Sequence, residues 1–448
     1  VGVNLIFLGL YASLGGIFPA DDLYLILVLQ CLVGVYLIYK NEANPINPLF
    51  LYYVVTMMQA IADINLMQIV GTSKNVMYRY IIPQCIEEAT RLTCIGQTLI
   101  FIGFQAAKKL SFPSVSKDVK NKNVYIALYY ILVFILCNSL FFNVFRSSGI
   151  KVIDNSLKLI NFSLIIIFTR FWAYEKNNKY RNYAIVIVVL QTLYALTYSY
   201  TRTDLITPSV CFFIGYFLAV GVRKVFTVQI IPAVIVILVF VNNFSNLGNS
   251  RSHFIDAFVP KQNINAVKEK MDQIDEMDDE DSHAGFFIRI ANLAQVTNVV
   301  NLVNKNGFYN GRASAPLLVA LIPRDLYPDK PIINLGAWFA LEIGVAIKND
   351  KSTSRALITN NSVDMEIWGE LYLDFGYVGV VFGCFLAGLI FAMFWNSTHF
   401  YSSVYNLTGT LFGGYLLFQG MSGIGPDLQV FVTLLSTYII IYILSRLL

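Results

Sequence analysis

Three carboxylates, Glu366, Glu370 and Asp374, are spaced by four where the chain enters a long apolar run. On a helix that spacing makes one acidic stripe. Unneutralised carboxylates on one face repel one another, so the stripe calls for basic partners or a wet cavity. Arginines and lysines are at hand: Arg202, Arg251, Arg289, Arg312, Arg324 and Lys330. A guanidinium fork matches phosphate oxygens bidentately, which points to an anion of the diphosphate kind. Tyr309, Tyr327, Trp338 and Trp368 offer apolar faces with hydrogen-bonding edges, which suit sugar rings. Glu370, one turn inside the apolar run and beside other carboxylates, is the first candidate for acid/base work. Arg324 stands in Ile322-Pro323-Arg324-Asp325-Leu326-Tyr327-Pro328-Asp329-Lys330-Pro331, whose prolines stiffen the backbone around it. Together these residues suggest a glycan on a lipid diphosphate, handled at one face of a membrane.

Other charged groups have plainer readings. Glu87 and Arg91 are four apart and can pair on one helix face, with Glu88 beside them, either as an intramembrane pair or on an interfacial helix over 79–91 that leads into a shorter span over 92–107. The acidic run 272–281 has neither the alternating ligands nor the central glycine of a calcium loop, and reads as a solvated helix end. His253, His283 and His399 are scattered, and no HExxH, Cys/His spacing or glycine-rich phosphate loop occurs. No metal, cofactor or nucleic acid is therefore expected. All six cysteines (Cys31, Cys85, Cys94, Cys137, Cys211 and Cys384) fall in apolar stretches and read as small buried hydrophobes.

The elements that must position these residues follow from composition. Of 448 residues 56% are apolar and only 13% charged, with a mean hydropathy of +0.60. Soluble domains carry about 25% charged residues, so an ordinary cytosolic enzyme and a disordered chain are excluded. Apolar runs near 3–19, 23–39, 46–64, 80–107, 124–145, 156–174, 183–200, 204–222, 228–244, 367–395, 403–421 and 427–446 predict an all-α polytopic membrane protein of about twelve spans. Residues 1–244 would hold nine spans, 245–366 one large, partly helical loop, and 367–448 the last three. Within the loop, 285–303 has the pattern of an amphipathic helix lying on the membrane or over a cavity mouth. Lys108, Lys109, Lys117, Lys120 and Lys122, then Lys176, Lys179 and Arg181, then Arg223 and Lys224, all fall on one side if the spans alternate. That side is the cytoplasm by the positive-inside rule, so both termini face inward and the large loop outward.

Three segments carry a resemblance. Thr201-Arg202-Thr203-Asp204 opening a span, the proline-rich Arg324 segment, and Gly369-Glu370-Leu371-Tyr372-Leu373-Asp374-Phe375-Gly376-Tyr377-Val378-Gly379 resemble those of the Wzy polymerases. These are the O-antigen or oligosaccharide repeat-unit polymerases of bacterial inner membranes. The layout is also similar, with a large periplasmic loop before the last three spans. The resemblance implies a metal-independent integral-membrane glycosyltransferase of the GT-C type, without cofactor, in the inner membrane. It implies donor and acceptor glycans on undecaprenyl diphosphate, with a flippase and a Wzz-type chain-length co-polymerase as partners. On that reading Arg324, with Arg202 and Arg289, holds the diphosphate, and Glu370 takes the proton from the acceptor hydroxyl. Arg251, Arg312 and Lys330 are further anion contacts.

Three other readings compete. A ligase would move finished polymer from the same lipid and use the same arginines. A flippase or transporter would place its charges along a path through both halves of the membrane, whereas here they gather on the outer side. A docking platform would use the loop's arginines only to balance its acids.

Overall fold

Continuous apolar runs cannot leave backbone amides unpaired in lipid, so they close their hydrogen bonds within each helix. The computed structural model describes residues 1–14, 18–41, 48–69, 81–111, 121–142, 151–195, 202–220, 291–312, 335–344 and 363–399, with 314, 406, 409, 410 and 413. Among them there is no β-strand. The helices are α1 (Gly2–Leu14), α2 (Ala20–Asn41), α3 (Pro48–Ile69), α4 (Ile86–Ala106), α5 (Lys122–Phe142), α6 (Lys151–Glu175), α7 (Asn178–Tyr194), α8 (Arg202–Val220), α9 (Leu293–Asn306), α10 (Leu335–Glu342) and α11 (Glu366–Ser397). Four stretches, Ala20–Lys40, Pro48–Gln68, Lys122–Leu140 and Glu366–Ser397, are long and apolar enough to cross a membrane. This is an all-α membrane protein. The runs expected at 228–244 and 427–446 lie outside the described residues, as does nearly all of 403–421.

The closely packed helices fall into two groups. In the first, α4 lies against α1, α2, α9 and α11, and α2 against α3. In the second, α6 lies against α7 and α8, with α5 against α7. The second group is one continuous stretch of chain, set between the two parts of the first. Polar side chains link the helices of the first group. Gln30 donates to Asn4 Oδ1 at 2.9 Å, Asn4 to the Tyr53 hydroxyl at 2.9 Å, and both Tyr11 and Thr98 donate to Gln30 Oε1 at 3.0 Å. Such bonds hold helices together where the hydrophobic effect cannot. At one end of the second group Lys122 pairs with Glu175 at 2.6 Å.

Two expected spans are broken. The run 80–107 is a 3-10 turn, Pro83–Cys85, followed by α4 from Ile86. Proline at the start of the turn has no N–H to give a longer helix. The second break is larger. The run 367–395 reads as one span, yet α11 leaves helical geometry at Gly376, with φ 63° and ψ −155°. Residues 366–375 form a short arm, and 377–397 form a second arm about 31 Å long at 1.5 Å per residue. The arms fold back on each other: a methyl placed on Gly379 would lie 2.7 Å from the Leu371 carbonyl, and one on Gly383 2.5 Å from Leu371 Cδ1.

The direction of each arm is read along α4. The first arm meets Glu88 at Tyr372 and Gly96 at Trp368. The second meets Ile100 at Gly388, and Ala107 and Leu110 at Asn396. The first arm is therefore antiparallel to α4 and the second parallel to it. Of the three striped carboxylates, Glu366 is the farthest from the turn and Asp374 the nearest to it. A positive-φ glycine turns the chain at 376 and so sets the arm antiparallel to α4.

Candidate functional site

The first arm of α11 and helix α9 enter the first helix group side by side. α9 buries Leu293, Val296, Val299, Val300, Leu302 and Val303 against it, with Thr297 and Asn298. Val299 faces Gly369 of the arm. The amphipathic helix expected over 285–303 is described from Leu293, and its apolar side packs against both α4 and α11.

Both N-termini point into the group, and a carboxylate waits there. Asp63 of α3 is 1% exposed, and its Oδ1 accepts the backbone N–H groups of Asn292 at 2.9 Å and Leu293 at 3.0 Å. Asn292 is the residue before α9 and makes no side-chain cap of its own. Asp63 thus satisfies donors that a helix start leaves open, and its charge meets the positive end of the helix dipole. Tyr24 of α2 adjoins the same carboxylate. Asp63, Glu370 and Asn292 lie near the Glu366 carboxyl, and Glu366 takes a left-handed φ of 59° at the start of the arm. Residues at such angles cluster at functional sites.

Glu370 and Asp374 are buried, at 3% and 0% exposure. Asp374 has an evident local task. Its Oδ2 accepts the Ser314 N–H at 2.9 Å and the Ser314 hydroxyl at 2.5 Å. The carbonyls of Leu373 and Asp374, freed by the break at Gly376, accept the N–H groups of Tyr309 and Asn310 at 3.0 and 2.9 Å. The turn after α9 is thereby fastened to the end of the arm. Arg312 lies in that turn, exposed, its N–H donated to the Tyr309 carbonyl at 3.1 Å. Beyond the turn, Trp338 of α10 stands edge-on to Tyr309, 5.6 Å between centroids. The Val363 N–H, just before the arm, returns to the Gly336 carbonyl at 3.1 Å.

The other expected site residues fare differently. Arg251, Arg289, Arg324 and Lys330 lie outside the described residues. Arg202 opens α8, and its side chain also lies outside them. Glu87 is exposed and no ion pair joins it to Arg91 among the described residues; the Arg91 guanidinium lies over the Tyr377 ring instead, 5.6 Å from its centroid. Cys85 is buried, as suits an inert structural cysteine. No group of three or more His, Cys, Asp or Glu among the described residues is placed to hold a metal ion.

Asp63 escaped the sequence reading. A lone Asp in the apolar run 46–64 was the signal, since an intramembrane carboxylate is costly without a partner. Its partner, 230 residues away, has no sequence signature.

A family described as a domain of unknown function (DUF8712) has a model that matches residues 36–448. The chain belongs to this family. The DUF8712 match takes in Asp63, α9 and both arms of α11, and leaves only Tyr24 of the residues around Asp63 outside. No curated protein and no solved structure matches the chain.

Proposed function

We propose that this DUF8712 protein is an integral-membrane glycosyltransferase of the GT-C type. It polymerises undecaprenyl-diphosphate-linked repeat units on the periplasmic face of a bacterial inner membrane, within an architecture of about twelve spans. One observation carries the reading. The stretch bearing Arg324 and Lys330 leaves the described chain at Ser314, bound to Asp374, and returns at Leu335, whose helix places Trp338 on Tyr309. The residues that flank the cationic segment thus lie beside the arm that carries Glu370, which supports a reading in which the segment's cations and the carboxylate act together.

In this mechanism Arg324, with Arg202 and Arg289, holds the diphosphate and stabilises the charge that develops as it leaves. The acceptor hydroxyl attacks the anomeric carbon of the donor. The bond from that carbon to the diphosphate oxygen breaks, and Glu370 takes the hydroxyl proton. Undecaprenyl diphosphate departs with the bonding electrons. Arg251, Arg312 and Lys330 assist as anion contacts. A flippase supplies the acceptor, and a Wzz-type co-polymerase sets the chain length.

A second reading draws on the broken helix. Half-helices that end inside a membrane are common at the binding sites of transporters, so a lipid-linked-glycan flippase is the alternative. Deletion of the gene in its native host, followed by gel analysis of the surface polysaccharide, separates the readings. Core plus a single repeat unit, restored to a ladder by the wild-type gene, supports polymerisation. Bare core with long glycan retained on the lipid identifies a ligase instead. Bare core with single units retained on the cytoplasmic leaflet identifies the flippase.

A further inference from the structure

On the side of the first arm that faces α4 lies a second polar group, distinct from the acidic stripe. Glu88 and Arg91 are three residues apart on the first two turns of α4, both partly exposed. Neighbours at that spacing on a helix readily pair, yet no ion pair joins them among the described residues. Each is drawn instead to a tyrosine of α11. Glu88 Oε1 accepts from the Tyr372 hydroxyl at 3.5 Å, and its charge also reaches the Tyr377 hydroxyl. Arg91 lies over the Tyr377 ring, and its Nε has no hydrogen-bond partner.

The aromatic rings are set at angles to one another. Tyr372 and Tyr377 meet edge-to-face at 5.4 Å and 78°, and Phe308 meets Tyr372 at 5.8 Å and 84°. Phe308 is half exposed. Two features of the backbone hold this arrangement: the glycine turn at 376, which separates Tyr372 from Tyr377, and the fastening of 309–310 to 373–374.

We infer that Glu88, Arg91, Tyr372, Tyr377 and Phe308 form a saccharide-binding subsite. A carboxylate acceptor and a guanidinium donor, kept from each other, bridge neighbouring hydroxyls of a pyranose ring. Phe308, half exposed, offers a ring to its C–H groups, while the buried Tyr372 and the Tyr377 ring under Arg91 back the site. The two opposite charges sum to zero, which favours a neutral sugar over a phosphate. Buried donors left without partners, such as Arg91 Nε, call for an explanation, and a second state of the site with sugar bound supplies one. The subsite rests on the proposed function for the class of its ligand, and places the acceptor glycan on the α4 side of the arm.

The test uses the full chain in lipid nanodiscs and saturation-transfer difference NMR, irradiating the aromatic protons. The probes are the methyl glycosides of glucose, galactose, mannose and N-acetylglucosamine, with 1,6-hexanediol as the control. Transfer to the ring protons of at least one glycoside and not to the diol is expected, falling at least fivefold in Glu88→Ala/Arg91→Ala. Tyr377→Phe, which keeps the ring, guards against loss of fold: it should retain transfer at reduced amplitude. No transfer to any glycoside, or equal transfer in wild type and the double variant, overturns the subsite. The gel assay of the deletion strain reads polymerisation independently, so failure of one proposal is not failure of the other.

Discussion

Asp63 and Leu293 are joined by a 3.0 Å hydrogen bond from the Leu293 N–H to the Asp63 carboxylate, across 230 residues of chain. The bond ties α3 to a helix from the most polar part of the sequence. A cap of this kind is worth about 0.5–2 kcal/mol, and the site is buried, so Asp63→Ala leaves two N–H groups without acceptor or water. Thermal unfolding in detergent should show Asp63→Ala clearly less stable than wild type. Asp63→Asn keeps an acceptor oxygen and should fall between the two. Equal melting of all three would remove the cap from the account of how α9 is held.

Gly376 sets the direction of both arms of α11. At φ 63° a side chain is strained, by about 1–2 kcal/mol, and a methyl there would also lie 2.9 Å from Phe308 Cζ. Gly376→Ala should lower the folded yield and the melting temperature. Phe308→Ala in that background relieves the contact and leaves the backbone strain, so it should restore part of the loss. Full restoration would mean that the turn does not require a glycine.

The helices were legible because apolar runs in a membrane have one way to satisfy their backbone. The runs at 46–64, 124–145 and 204–222 reappear as α3, α5 and α8, each displaced by a few residues. The acidic stripe was also legible, since spacing by four survives wherever the arm points. The turn that ends the arm was not. Composition around Gly376 is as apolar as any span, and a single glycine carries no mark of whether it packs or turns. The role of Asp374 was hidden for another reason: its partner Ser314 is fixed by the turn after α9, and no periodicity reports that turn. Asp63 was the missed signal, a charge in an apolar run that called for a partner.

The Lys122–Glu175 pair offers a contrast with Asp63. Its side chains are 35% and 34% exposed, and pairs of that kind contribute about 0–1 kcal/mol. Glu175→Gln should leave the melting temperature within a degree or two of wild type, with any small difference vanishing at high salt. A loss comparable to that of Asp63→Ala would show that the end of the second helix group is far less accessible to water than its exposure indicates.

Glu370 and Asp374 sit one turn apart on the same arm, both buried, and the proposed chemistry assigns them different tasks. Asp374 accepts two bonds from Ser314, so Asp374→Ala should loosen the turn after α9. Faster limited proteolysis near residue 310 and a lower abundance in the membrane are expected. Glu370→Gln is nearly isosteric and should reach wild-type abundance with the same proteolytic pattern. Its effect should fall on turnover, because a general base contributes roughly 10²–10⁴-fold to rate. Complementation of the deletion strain by Glu370→Gln should then give single repeat units and no ladder, as should Arg324→Ala. A full ladder from Glu370→Gln at wild-type abundance would take Glu370 out of the mechanism. The base would then have to be sought between Glu366, at the start of the same arm, and Asp63 of α3 beside it.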